Sequence, residues 1–89
     1  MSWRVDFSKD ALKFLEQNNI KEDFVIDKIK FALRKFKGED VNVDIKKLKG
    51  EWEGFHRIRS GKLRIITEFQ FENYRAYIDK IDWRGNAYK

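Results

Sequence analysis

The stretch GFHRIRSGKLRII, Gly54–Ile66, decides the fold. Two strand-like runs, Phe55–Arg59 and Lys62–Phe69, flank Ser60-Gly61, and a serine–glycine pair in that position predicts a two-residue hairpin turn. On that turn Arg59 lies opposite Lys62, Ile58 opposite Leu63, Arg57 opposite Arg64, and His56 opposite Ile65. Side chains alternate between the faces of a sheet, so His56, Ile58, Leu63 and Ile65 share one face and Arg57, Arg59, Lys62 and Arg64 the other. The apolar face calls for a cover. The cationic face calls for carboxylate neighbours, Glu68 or Asp79, or for an anionic ligand, because like charges directly opposite one another are destabilising.

Working outward, Glu72-Asn73 turns the chain again and Tyr74–Trp83 follows as a further strand. At the other end, Ser2–Phe7 alternates Trp3, Val5 and Phe7 against polar neighbours, as a half-buried strand does. Ser8 stands where an N-cap is needed for a short helix with the apolar stripe Ala11, Phe14, Leu15, stopped by Asn18-Asn19. From Lys21 the positions Val25, Ile29, Ala32, Leu33 and Phe36 keep the 3.6-residue period of a second helix ending at Gly38. Glu39–Gly54 is polar with scattered Val41, Val43 and Ile45, and reads as an ordered loop. The predicted class is α+β: β-α-α-β-β-β, an antiparallel sheet with an N-terminal helical hairpin packed on one face.

At 89 residues the chain is one domain, 1–89, with a single modest core. Eight Phe, three Trp and three Tyr argue against disorder. The absence of cysteine excludes a disulfide scaffold, a thiolate metal site and a cysteine nucleophile, and a lone histidine excludes a two-histidine metal site. No apolar run approaches the roughly 20 residues that span a bilayer, and the N-terminus has no signal-peptide pattern. The expectation is a cytoplasmic domain with no membrane contact and no cofactor. The net charge of +5 is uneven: residues 1–44 balance nine Lys/Arg with nine Asp/Glu, while residues 45–89 carry eleven against six. Cations gathered in one half point to a polyanion, of which nucleic acid is the commonest.

Individual residues divide into chemistry and packing. Arg84 and Tyr88 follow the last strand in DWRGNAYK. There the guanidinium fork suits two phosphate oxygens and the phenol suits stacking or proton donation. Their packing alternatives are a pair from Arg84 to Asp82 or Asp79 and a C-terminal cover by Tyr88. His56, on the covered face, reads as a half-buried core histidine before it reads as a general base. Trp3, Trp52 and Trp83 read as packing residues, Trp83 being the one placed to stack on a base. Lys46, Lys47 and Lys49 are either solvated or extend the cationic footprint upstream.

The run KKLKG (Lys46–Gly50), then GFHRIRSGKLRII, then IDWRGNAYK (Ile81–Lys89) resembles the RelE/ParE superfamily of bacterial and archaeal toxins. The resemblance lies in the order and spacing of short motifs and covers nearly the whole chain. It implies a RelE-like, microbial-RNase-like fold and a type II toxin–antitoxin module. The RelE branch is a ribosome-dependent mRNA endonuclease that uses no metal and takes the 2′-hydroxyl as nucleophile in the ribosomal A site. On the matching positions Arg57, Arg64, Arg84 and Tyr88 would be catalytic, with Lys47, Lys49, Arg59 and Lys62 on the RNA. The implied partners are a cognate RelB-like antitoxin, forming a hetero-oligomer, together with mRNA and the ribosome. One position departs from the pattern: Phe55 stands where the family has a lysine that is a candidate base. Arginine stays protonated in proteins, so a base would have to be Tyr88, His56, a lysine of Lys46–Lys49 or a ribosomal group. The departure also leaves a ParE-like reading, a DNA gyrase inhibitor without nuclease activity.

Overall fold

The computed structural model describes residues 2–85. The alternation around Trp3 and Val5 becomes β1 (Arg4–Phe7), and Ser8 then caps α1 (Lys9–Gln17), its hydroxyl accepting the Ala11 amide at 3.0 Å. Asn19, at φ 55, closes that helix, and α2 (Glu22–Phe36) follows, with acids in its first turn and Arg34 and Lys35 in its last, as the helix dipole favours. Beyond it lie β2 (Asp44–Lys47), β3 (Phe55–Ser60), β4 (Leu63–Gln70) and β5 (Arg75–Trp83), in a five-stranded sheet of order β1-β5-β4-β3-β2.

The class and the helical hairpin on one face stand as the sequence predicts, and three details differ. Glu39–Gly54 is not all loop, because β2 forms within it and pairs antiparallel with β3, making the order β-α-α-β-β-β-β. Second, β1 pairs with β5 in parallel, Val5 beside Ala76, so the sheet is mostly rather than wholly antiparallel. Third, the hairpin turn is Gly61-Lys62. Ser60 pairs with Leu63, Ile58 with Ile65, Arg59 with Arg64 and Arg57 with Ile66. Gly61 supplies the positive φ (59°) at the first central position, as a type II′ turn requires, and Lys62 follows it. The register thus moves by two residues, which keeps every side chain on its expected face.

Ile58 and Ile65 are fully buried and join Ile78 and Ile81 of β5 with Ala11, Leu15, Val25, Ile29 and Ala32 of the helices in one core. Each fully buried aliphatic side chain contributes about 1.5–3 kcal/mol of hydrophobic stabilisation. Between Ile66 and Thr67 the β4–β5 register slips, their partners being Lys80 and Ile78, so Asp79 is an extra, bulged residue. Its freed carbonyl accepts the Ser8 hydroxyl at 2.7 Å, which ties the start of α1 to the strand it covers.

Candidate nucleic-acid interface

Both described helices pack on the first face, and the other face is built from alternate residues of the strands. Register places Asp44 and Lys46 of β2, Arg57 and Arg59 of β3, Arg64, Ile66 and Glu68 of β4, and Lys80 and Asp82 of β5 on it together. Ile66 is fully buried there although no described helix covers it. Its direct neighbours are Arg57 on one side and Lys80 on the other. Long cationic side chains cover apolar surface with their stems while keeping the charge outward, so Ile66 lays these two cations down along the sheet.

The arginines are held by specific partners. The Asp44 carboxylate accepts Nη2 of Arg57 at 3.1 Å and Nε of Arg59 at 2.6 Å, so one acid bridges two cations on the neighbouring strand. Only 14% of the Arg57 side chain is exposed, and its Nε is buried with no hydrogen-bond partner among the described residues. Arg64, expected on the surface, is 8% exposed. Its Nη1 donates to the carbonyls of Gly61 (2.7 Å) and Leu63 (3.0 Å), so this guanidinium buttresses the hairpin turn. Arg59 and Arg64 are direct cross-strand neighbours.

Lys62 is exposed in the turn, and the Arg84 amide donates to its carbonyl at 2.7 Å, placing Arg84 at the same end of the sheet. Arg57, Arg59, Arg64, Lys62 and Arg84 therefore form one connected region. Lys47 and Lys49 do not join it face to face. Lys47 pairs with His56, on the helix-bearing side of the edge strand, and Lys49 lies beyond β2 before the 3-10 turn Gly50–Trp52. Tyr88 lies outside the described residues. The lysine that parity does place beside Arg57 is Lys46, and Lys80 flanks the region from β5. Both were legible in the sequence: Lys46 in the period-two alternation of Val41, Val43 and Ile45, and Lys80 in the run IDKID of the last strand, where it precedes the buried Ile81.

His56 sits among Phe36 and Phe69, ring centroids 5.4 Å away in each case, with its buried Nδ1 unpartnered among the described residues. Burial, and then the Lys47 charge, hold its pKa below the ordinary 6.5. It faces away from the cationic region. At the sheet's opposite edge the Arg75 guanidinium, 2.6 Å from Asp6, keeps that carboxyl below its usual range.

No protein-family model and no curated protein matches the sequence. Solved structures do match it. A chain of the archaeal RelE–RelB complex from Pyrococcus horikoshii is 24% identical, with 98% of this chain and 100% of that one covered and a TM-score of 0.62. A chain of the toxin–antitoxin complex RelBE2 from Mycobacterium tuberculosis is 23% identical, over 94% of this chain and 100% of that one, at a TM-score of 0.61. A chain of the heterotetrameric YoeB–YefM toxin–antitoxin complex from Staphylococcus aureus is 18% identical, over 94% and 99%, at 0.60.

The chain has the RelE/ParE toxin fold.

Within that RelE-type frame, Phe55 lies opposite Glu68 and its ring meets Trp52 at 5.5 Å. An aromatic pair thus occupies the place of the usual strand lysine. Among the described residues, the amines on the cationic face are those of Lys46 and Lys80. No described helix of this RelE-fold chain is long and apolar enough to cross a membrane.

Proposed function

We propose that this chain is the toxin of a type II toxin–antitoxin pair and acts as a ribosome-dependent mRNA endonuclease. The observation that carries the reading is the open sheet face on which Arg57, Arg59 and Arg64 are fixed side by side. Two of them are oriented by one carboxylate and the third by the turn's carbonyls. Transfer of a phosphodiester to its own 2′-hydroxyl places negative charge on the non-bridging oxygens of a pentacoordinate phosphorus. Guanidiniums already held in place stabilise that charge without reorganising, which is the largest kind of contribution a site of this type makes. Holding the 2′-hydroxyl in line with its leaving oxygen supplies the rest. Arg57 is the central member, bordered by Arg59 along its strand and by Lys46 across it. Arg84, beside Lys62 at the hairpin end, takes the neighbouring phosphate. His56 is removed from the candidate bases by its face, and the amines of Lys46 and Lys80 replace it. The structures this chain resembles are described as toxin–antitoxin complexes, which supports a cognate antitoxin as partner.

The experiment is a purified translation reaction in which mRNA 5′ ends are mapped with and without ribosomes. Cuts confined to translated codons are expected. Arg57→Ala should lower the cutting rate about 10²–10³-fold, the usual loss for one donor to a transition-state oxyanion. Arg84→Ala should lower it with the melting temperature unchanged. Intact mRNA in the presence of folded protein overturns the nuclease reading. The aromatic pair at Phe55 favours one second reading, gyrase poisoning, and inhibition of supercoiling by that same folded protein would establish it.

A further inference from the structure

At the hairpin end the sheet offers a second kind of surface. Leu63 pairs with Trp83 across β4 and β5, so the residues beside that pair, Lys62 and Arg84, meet at the rim. Trp83 packs against Phe14, ring centroids 5.4 Å apart, yet stays 40% exposed. Two adjoining hollows share its ring. One, of about 270 Å³, is lined by Lys62, Trp83 and Arg84. The other, of about 300 Å³, adds Ile20, Phe24 and Leu63 to Lys62 and Trp83. Among the described residues no carboxylate lines either hollow. Asp82, next in sequence, is engaged by the Trp83 amide, which donates to its Oδ1 at 2.7 Å.

An indole left this open, with a cation fixed on either side, has the makings of a single-strand nucleic-acid subsite: the ring takes a base and the cations take the flanking phosphates. The smaller hollow lies below the roughly 300–1,000 Å³ of drug-sized sites, and suits one planar base. It is continuous with the arginine region through Lys62, which directly follows Gly61, the residue whose carbonyl holds Arg64.

We propose that Trp83, between Lys62 and Arg84, is a stacking platform for one unpaired base of the strand whose backbone crosses Arg57, Arg59 and Arg64. This rests on the RNA-cleaving reading above. The ring offers a π-face and no acceptor pattern, so the platform selects by stacking strength and prefers purines.

The test is direct binding, without ribosomes, of a short oligoadenylate and of an abasic ribose-phosphate strand of equal length, followed by fluorescence anisotropy. The wild type should bind the oligoadenylate more tightly than the abasic strand. Trp83→Leu keeps an apolar side chain against Phe14 and should weaken oligoadenylate binding about 5- to 100-fold, leaving the abasic strand unchanged. Trp83→Phe should retain most of the difference. Lys62→Gln should weaken both strands alike and reduce the salt slope by about one. Equal affinity of the wild type for the two strands overturns the proposal. So does a Trp83→Leu protein that binds oligoadenylate normally, and if that protein has lost its hold on an antitoxin, the hollow is a protein socket instead. Cleavage is scored separately in the translation reaction. Base-dependent binding without cutting keeps the platform and removes the nuclease, and cutting without base-dependent binding does the reverse.

Discussion

Asp44→Asn should make this protein less stable and a better polyanion binder at once. The Asp44–Arg59 pair is half exposed at both ends (42% and 49%), and such surface pairs contribute about 0.2–1 kcal/mol. Arg57 is different, since only 14% of its side chain meets solvent. A hydrogen bond from a mostly desolvated guanidinium to a carboxylate is worth about 1.5 kcal/mol, the low end of the range for charged groups, because Asp44 itself is half exposed. The two contacts together are worth about 2 kcal/mol, which lowers the melting temperature by about 8–16 °C in a domain of this size. Binding moves the other way. A unit charge a few ångströms from a phosphate in water repels it by up to about 1 kcal/mol, so removing it tightens single-stranded RNA binding about fivefold at low salt. The gain should vanish near 1 M salt, where the screening length is about 3 Å. Thermal melts and fluorescence anisotropy, each at low and high salt, measure both effects. If affinity falls with stability, Asp44 positions the arginines for the ligand and the electrostatic reasoning is refuted. An unchanged melting temperature refutes the bridge itself.

Two further substitutions probe the frame around the site. His56 has a folded-state pKa below its unfolded value, so the unfolded chain binds the proton more readily. Stability should therefore be complete well above pH 6.5 and decline as pH falls through that value toward the lower folded pKa. His56→Leu should flatten this part of a plot of melting temperature against pH, and a slope that survives the substitution assigns it elsewhere. Ser8→Ala removes both the cap on α1 and the bond to the bulged Asp79 carbonyl. It should cost about 1–2 kcal/mol, with α1 amides the first to lose hydrogen-exchange protection. Ser8→Thr, which keeps the oxygen, should recover most of the loss.

The helices and the faces of the central hairpin were legible because each rested on agreement between periodicity and a stop or cap. Ser8, Asn18-Asn19 and Gly38 bracket two runs of helical spacing, and alternation sorted Ile58 and Ile65 from Arg57 and Arg59. What was not legible has local causes. The strand Asp44–Lys47 is a short edge, and its alternation of Val43 and Ile45 was outweighed by the polar composition around it. The turn moved because Gly61 can supply a positive φ at either central position of a two-residue turn, and composition does not say which. The burial of Arg64 follows from its place in LRIITEF, a nearly continuous apolar run of the kind that marks a central strand, where even a cation is enclosed and must find carbonyls. The parallel pairing of β1 leaves no trace in alternation, which is the same for either strand direction.

That parallel pairing governs when the molecule can exist. The first strand has its only described strand partner in the last, Arg4–Phe7 lying along Arg75–Ile78, and the first helix is anchored on that same late strand through Asp79 and Trp83. During synthesis the opening residues therefore wait, unpaired, for almost the full length of the chain. Contacts this distant in sequence carry a large loop-closure cost and form late. Lys80, Trp83 and Arg84 arrive with the same closing strand. A ribosome making this protein thus releases no partly competent fragment: fold and cationic surface are completed together, by the last residues to emerge.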